Sequence, residues 1–265
     1  MNKPISHITS IQNDTVKAMA ALLDKKHRDR SDAFLVEGVH LVQESLLAGA
    51  DVLKVVYDAA RGIPAELREL LEQSSCELIA ASSAVMSKCT GTDSPPPVFG
   101  IVAKLKPDLS ALYREHSLVV VLDGVRDPGN VGTIIRSADA VGADAVLIGD
   151  GSVDLYNPKT VRSTMGSLFH LPIVEGSLSD YLPEAASRGI QLVGTSLQAE
   201  KSCYSHNWTV PTWLLLGSES HGLSPLALES VSTSVIIPMR GQSESLNVAM
   251  AATVLLYEAL RQREF

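Results

Sequence analysis

Short β-branched runs alternate with segments whose apolar residues recur every three or four positions, and this alternation predicts an α/β chain. In the first part, Asn13 or Asp14 caps a helix whose core face is Val16, Met19 or Ala20, and Leu23. Phe34-Leu35-Val36 reads as a short strand, and 39–48 as a helix stopped by Gly49. Residues 53–57 are a second strand, and Pro64 suits the first turn of a helix ending near Gln73. Further strands are expected over 76–80 and 99–103, the latter set off by Pro95-Pro96-Pro97.

The pattern restarts after a charged, Pro-containing stretch at 107–116, which reads as a linker. That gives a small α/β domain over 1–106 and a second domain over 117–265. Leu118-Val119-Val120-Val121-Leu122 is uniformly apolar, as a strand buried on both faces must be. Asp127-Pro128-Gly129-Asn130 is a turn into a helix through Ala140, with Asn130 as its candidate cap. Strands follow at 145–148, 191–193, 213–216 and 234–237, with helical patterns between them. Buried strands alternating with helices predict a parallel sheet covered on both sides, whose ligands bind beyond the C-terminal strand ends.

Composition narrows the function. The formal net charge of −8 excludes a chain that clings to nucleic acid through its average field. Any RNA contact needs a local patch, and Lys25, Lys26, Arg28 and Arg30 form the candidate; the alternative is a solvated helix end. Cys76, Cys89 and Cys203 have neither zinc nor redox-pair spacing, so no metal is expected, and a reducing cytoplasmic setting is. The first residues lack the apolar core of a signal peptide, and no stretch is long and apolar enough to span a bilayer.

Three segments carry candidate chemistry, each following a predicted strand. The first, residues 122–138, is a polar loop opening into a helix, with Gly132 and Arg136 on one helix face. Its glycines have neither dinucleotide nor P-loop spacing. Arg136 is either a surface Arg or a ligand group. The second, Leu216-Gly217-Ser218-Glu219-Ser220-His221-Gly222, puts Glu219 on a tight loop at a strand end, with His221 given no fixed partner. The third, residues 236–251, runs from an apolar strand through Pro238 and Gly241 into an apolar helix. Ser245 either caps that helix or points into the site. Asn247 sits within an apolar run and, if buried, must find hydrogen-bond partners.

Taken together, the three segments resemble the three motifs of the SpoU/TrmH family of SPOUT methyltransferases, over about residues 117 to 263. Asn130 and Arg136 match the first motif, Gly217, Glu219 and Gly222 the second, and Pro238, Gly241, Ser245, Leu246 and Asn247 the third. The first domain resembles, more weakly, the RNA-binding domain fused ahead of this fold in ribosomal-RNA methyltransferases. The resemblance implies transfer of a methyl group from S-adenosylmethionine to a ribose 2′-hydroxyl of RNA, a C-terminal trefoil knot, and a homodimer with its site near the subunit interface. It implicates Arg136, Asn130, Glu219, Ser245 and Asn247 in catalysis. Thr195, Leu216, Gly217, Ile237, Met239 and Leu246 would hold the cofactor, and Lys25, Lys26, Arg28, Arg30 and Arg136 the RNA. Glu219 is expected to anchor Arg136 or tune the site. Ribosomal RNA is the leading substrate; transfer RNA, a non-catalytic assembly role and a self-protecting resistance role are the alternatives.

Overall fold

The apolar runs of the first part are too short for a helix face and become strands. The computed structural model describes residues 4–243 and 245–265. In it, β1 (Ile5–Ile8), β2 (Ala33–Glu37), β3 (Val52–Asp58), β4 (Glu77–Ala81) and β5 (Val98–Ala103) form one sheet in the order β1-β4-β3-β5-β2. β1, β3 and β4 are parallel, and β5 is antiparallel to both its neighbours. The helices α1 (Asp14–Ala21), α2 (Lys25–Ser31), α3 (Val39–Leu47), α4 (Arg68–Gln73) and α5 (Ser83–Thr90) connect them. Asn13 caps α1 by accepting from the Thr15 amide at 2.8 Å. Val16, Met19 and Leu22 are buried, while Leu23, expected in the core, is exposed because α1 ends at Ala21.

The basic stretch is a separate helix rather than the end of one. Asp24 caps α2, and Asp32, in the left-handed region at φ 50°, ends it. This overturns one expectation: Arg28 is buried, and its Nη1 donates to the carbonyls of Leu22 and Leu23 at 2.7 and 2.9 Å. It closes the C-terminal end of α1, where carbonyls lack intrahelical partners, and is not available to RNA. Lys25 pairs with Asp29, while Lys26 and Arg30 remain exposed.

The second part builds β6 (Leu118–Asp123), α6 (Pro128–Ala140), β7 (Ala145–Ile148), α7 (Pro158–Thr164), β8 (Ile173–Glu175), α8 (Leu178–Ser187), β9 (Gln191–Thr195), β10 (Thr212–Gly217), α9 (Pro225–Ser230), β11 (Thr233–Val235) and α10 (Val248–Glu264). All six strands are parallel, in the order β11-β9-β10-β6-β7-β8. β6 is buried along its whole length, as its uniform apolar run requires. From β6 the chain steps outward to β7 and β8, then returns to β9 on the far side of β10. The topological switch therefore lies between β6 and β10.

Two features depart from the sequence reading. Within 107–116, taken as linker, Ala111 and Leu112 are fully buried, and the Trp213 Nε1–H donates to the Leu112 carbonyl at 3.1 Å. The chain also divides into two compact units, one running to Lys106 and taking in Tyr156–Phe169, the other made of Pro107–Leu155 and His170–Phe265. The segment 156–169, expected with the second domain, thus clusters with the first sheet. There Tyr156 packs its ring 4.6 Å from Phe34, and Arg162 Nη1 reaches both Glu37 oxygens at 2.8 Å.

The end of α10 is stitched to the stretches before β6 and β10. Arg263 donates to the carbonyls of His116, Ser117, Trp208 and Val210. Gln262 accepts from the Trp208 amide and donates to the His206 carbonyl. His206 itself is buried, edge-on to Trp208, with both ring nitrogens unpartnered among the described residues. Burial, and secondarily Lys201, holds its pKa below the ordinary histidine value.

Two outcomes follow for stability. Arg28→Ala leaves one buried and one part-buried carbonyl without their donor and is expected to lower stability by about 1–3 kcal/mol, whereas Arg30→Ala changes it by less than about 0.5 kcal/mol; urea midpoints compare them. For His206 the folded pKa lies below the unfolded one, so the unfolded chain binds the extra proton. Stability should fall as pH drops below about 6.5, and His206→Phe should flatten that part of a stability–pH profile.

Candidate active site

The C-terminal ends of β6 and β10 lie side by side, with Gly217 in register with Asp123 and Leu216 with Leu122. β6 hands over to α6 through a tight turn. Asp127 is the cap, accepting from the Asn130 amide at 2.9 Å, and Pro128 fills the first turn. Asn130, expected as the cap, stands instead inside the first turn with its side chain free for other work. The carboxylate of Asp123, buried at the end of β6, accepts from the Ser224 amide at 2.6 Å and fixes the start of α9.

β10 stops at Gly217 because a tight loop folds back onto it. The Ser218 amide donates to the Gly222 carbonyl at 3.0 Å, and the Gly222 amide returns the bond at 2.9 Å. A Cβ on Gly217 would lie 2.1 Å from the Gly222 carbonyl carbon, and Gly222 itself has φ +69°. Only glycine suits either position. The loop carries Glu219 outward. His221, read as lacking a partner, has its Nδ1 2.7 Å from Ser220 Oγ, but both side chains are exposed.

The third segment supplies the remaining member. Asn247 is the cap of α10: its Oδ1 accepts from the amides of Ala249 and Met250 at 3.0 and 3.3 Å. Asn247 is therefore exposed at a helix start, not buried in an apolar run, and Ser245 is not the cap. The recorded bond of Ser245 is through its carbonyl, which accepts from Ser243 Oγ at 2.9 Å. With its oxygen committed to the helix, Asn247 must donate through Nδ2, and it does, to Asn130 Oδ1 at 3.1 Å. Asn130 Nδ2 in turn donates to Glu219 Oε1. One directed chain of hydrogen bonds thus joins all three segments.

Arg136 stands apart from this chain. It lies six residues beyond Asn130, about 240° around the helix, and is exposed without a hydrogen bond or ion pair among the described residues. The expectation that Glu219 anchors Arg136 is not met, since Glu219 is engaged by Asn130. α6 is held against α10 by a Ser137–Thr253 hydroxyl bond of 2.7 Å.

The residues expected at the cofactor gather around the same sheet edge. Thr195 ends β9 opposite Val235, and Leu216 and Gly217 end β10. Ile237, Met239 and Leu246 lie on the stretch between β11 and α10. Among the described residues, none of these three uses its backbone amide or carbonyl in a backbone–backbone hydrogen bond. Such groups require water or a ligand. No group of three or more metal-type side chains occurs among the described residues, and no described helix is long and apolar enough to cross a membrane. The three cysteines are buried and free.

Comparison with known proteins agrees with this geometry. Residues 117–257 match the SpoU rRNA Methylase family, and residues 13–100 match the MRM3-like substrate binding domain. The chain is 35% identical over 253 residues to the 23S rRNA (guanosine(2553)-2′-O)-methyltransferase RlmP of Bacillus subtilis, covering 96% of this chain and 98% of that one. It is 38% identical over 269 residues to the 23S rRNA (uridine(2479)-2′-O)-methyltransferase of Streptomyces viridochromogenes, covering 98% and 94%. The crystal structure of the SpoU methyltransferase AviRb from S. viridochromogenes, in complex with AdoMet, superposes with a TM-score of 0.87 at 37% identity, covering 95% of this chain and 98% of that one.

The two jobs of Asn247 can be separated. Asn247→Ala should lower stability by about 1 kcal/mol through loss of the cap. Asn247→Asp keeps the cap acceptor but cannot donate to Asn130, so it should hold the melting temperature while amide exchange in 218–222 accelerates. Unchanged exchange in the Asp variant would show that the chain does not order the Glu219 loop.

Proposed function

We infer the activity from one premise: the chain belongs to the SpoU rRNA Methylase family. It transfers a methyl group from S-adenosylmethionine to a ribose 2′-hydroxyl of ribosomal RNA. The observation that supports this best within the structure is the Glu219–Asn130–Asn247 chain, which ties the three motif segments into one polar site at the sheet's switch point. Two relatives matched from end to end, first domain included, are named for 23S rRNA, which favours ribosomal over transfer RNA.

The cofactor supplies the methyl group on a sulfonium sulfur. The main-chain groups of Ile237, Met239 and Leu246, which make no backbone–backbone hydrogen bond among the described residues, would hold its adenine and ribose beside the strand ends at Thr195, Leu216 and Gly217. These groups read a heterocycle without charged side chains. Positioning the hydroxyl in line with the methyl supplies much of the rate. Asn130, directed by Asn247, keeps Glu219 in place beside the reacting nucleotide, which Ser245 would help to orient. A guanidinium offers donors and no acceptor, so Arg136 stabilises the developing alkoxide and the adjoining phosphate rather than taking the proton.

The reading includes a homodimer. α10 exposes Met250 and Tyr257, seven residues apart on one side of the helix, Leu246 is exposed just before its cap, and the neighbouring α6 carries Arg136, whose side chain has no partner among the described residues. A second copy on this face would bury these apolar side chains and bring Arg136 to a site. The route of residues 236–247, from edge strand β11 to the start of α6 with β9 and β10 between them, supports a trefoil knot. A cytoplasmic setting accords with three free thiols. The exposed Lys26 and Arg30 of the first domain are candidate RNA contacts, with Lys25 sharing its charge with Asp29.

The test is transfer of labelled methyl from S-adenosylmethionine to unmodified 23S rRNA and to transfer RNA, with mapping of the 2′-O-methyl position. Label in 23S rRNA alone is expected. Arg136→Ala should reduce turnover about 100-fold or more with the melting temperature kept; full activity in that variant would remove Arg136 from the mechanism.

A further inference from the structure

The acidic excess of this chain is unevenly placed. The unit bearing the active site, residues 107–155 and 170–265, has eight Lys and Arg against seventeen Asp and Glu, a formal charge of −9. The other unit has fourteen against thirteen. RNA is a polyanion, so the catalytic unit repels its own substrate over most of its surface. Binding there depends on which cations are left free to meet phosphate.

Four of the eight are committed within the fold. Arg114 pairs with Asp144, Arg188 with Glu184 and Arg261 with Glu258, and Arg263 is spent on four backbone carbonyls. The other four, Arg126, Arg136, Lys201 and Arg240, are exposed, and their side chains make no hydrogen bond or ion pair among the described residues. Lys201 belongs to the stretch whose backbone pairs with Ile236. The three arginines all lie on the motif segments. Arg126 directly precedes Asp127, the cap of α6, four residues before Asn130. Arg136 is on α6. Arg240 lies between Met239 and Gly241 on the stretch that ends at Asn247. Of the unit's seven arginines, three are paired with a carboxylate and Arg263 is held by carbonyls; the three that remain all lie on the motif segments.

We propose that Arg126 and Arg240 grip the RNA backbone phosphates on the two sides of the target nucleotide, leaving Arg136 for the reacting ribose. The proposal rests on the methyltransferase reading above. A guanidinium fork matches two phosphate oxygens at once, and among the described residues none of its donors at these positions is already used. Both residues stand on the segments that hold Asn130 and Asn247, so a phosphate held by either is registered against the hydrogen-bonded chain. The surrounding negative charge makes this register selective: RNA lying elsewhere on the unit meets carboxylates.

The experiment measures retention of unmodified 23S rRNA transcript by wild type, Arg126→Gln and Arg240→Gln across a salt series, with Arg126→Lys and Arg240→Lys beside them. Cofactor affinity is measured separately by calorimetry. Each Gln variant should bind RNA about tenfold more weakly, raise KM for RNA similarly, and lower the log–log salt slope by about 0.7–0.9, with cofactor affinity unchanged. The Lys variants should restore the slope and lose only part of the affinity. An unchanged slope in the Gln variants overturns the proposal, and so does a slope lost equally in the Lys variants, which keep the charge. If the slopes behave as expected but wild type labels no RNA, the phosphate grip stands and the methyl-transfer reading fails.

Discussion

The side-chain amide of Asn247 is the constraint from which the site is directed. A helix start leaves amides unpaired, and Asn247 Oδ1 satisfies two of them. That commitment leaves its Nδ2 to donate, which turns Asn130 so that its oxygen accepts and its own Nδ2 faces Glu219. A carboxylate can only accept, so the chain ends there with every partner matched. A long helix packed on α6 thus sets the polarity of a site built from three distant stretches of chain. The order comes from donor and acceptor geometry.

That chain could not close without the sheet beneath it. β6 and β10 are adjacent and in register to their last residues, so the loops that follow them emerge at the same height. Gly217 lets the Glu219 loop fold directly back on the strand end, where any side chain would strike the Gly222 backbone. The buried Asp123 carboxylate, tied to the Ser224 amide, fixes where that loop leads next. The parallel topology places the crevice, and two small residues and one buried carboxylate shape it.

Most of the second sheet was legible in the sequence because strands buried on both faces are written as unbroken apolar runs, as in Leu118–Leu122. The three motif segments were legible because each follows such a run. What pattern reading missed has identifiable causes. Asn247 was placed inside a buried run because the apolar residues on both sides conceal a helix boundary, which only the capping bonds reveal. Arg28 looked like its basic neighbours, since nothing local announces that a guanidinium turns inward to close another helix. Ala111 and Leu112 are too few to stand out in a charged stretch, yet they fill the core beside Trp213. Residues 156–169 follow strands of one sheet and cluster with the other; no local period encodes that choice. The clearest signal missed was Asp123, a carboxylate closing a β-branched strand, where burial without a partner would be costly.

The division of charge between the two units bears on how an acidic enzyme handles RNA. A unit of formal charge −9 gains nothing from non-specific attraction, which for most nucleic-acid binders supplies much of the affinity and little of the discrimination. With that background removed, recognition rests on RNA shape and on the few cations left at the site. Arginine suits those positions better than lysine because its planar fork fixes direction as well as charge. The surplus carboxylates then act as a filter: they penalise every placement of the backbone except the one that puts phosphates against the free guanidinium groups.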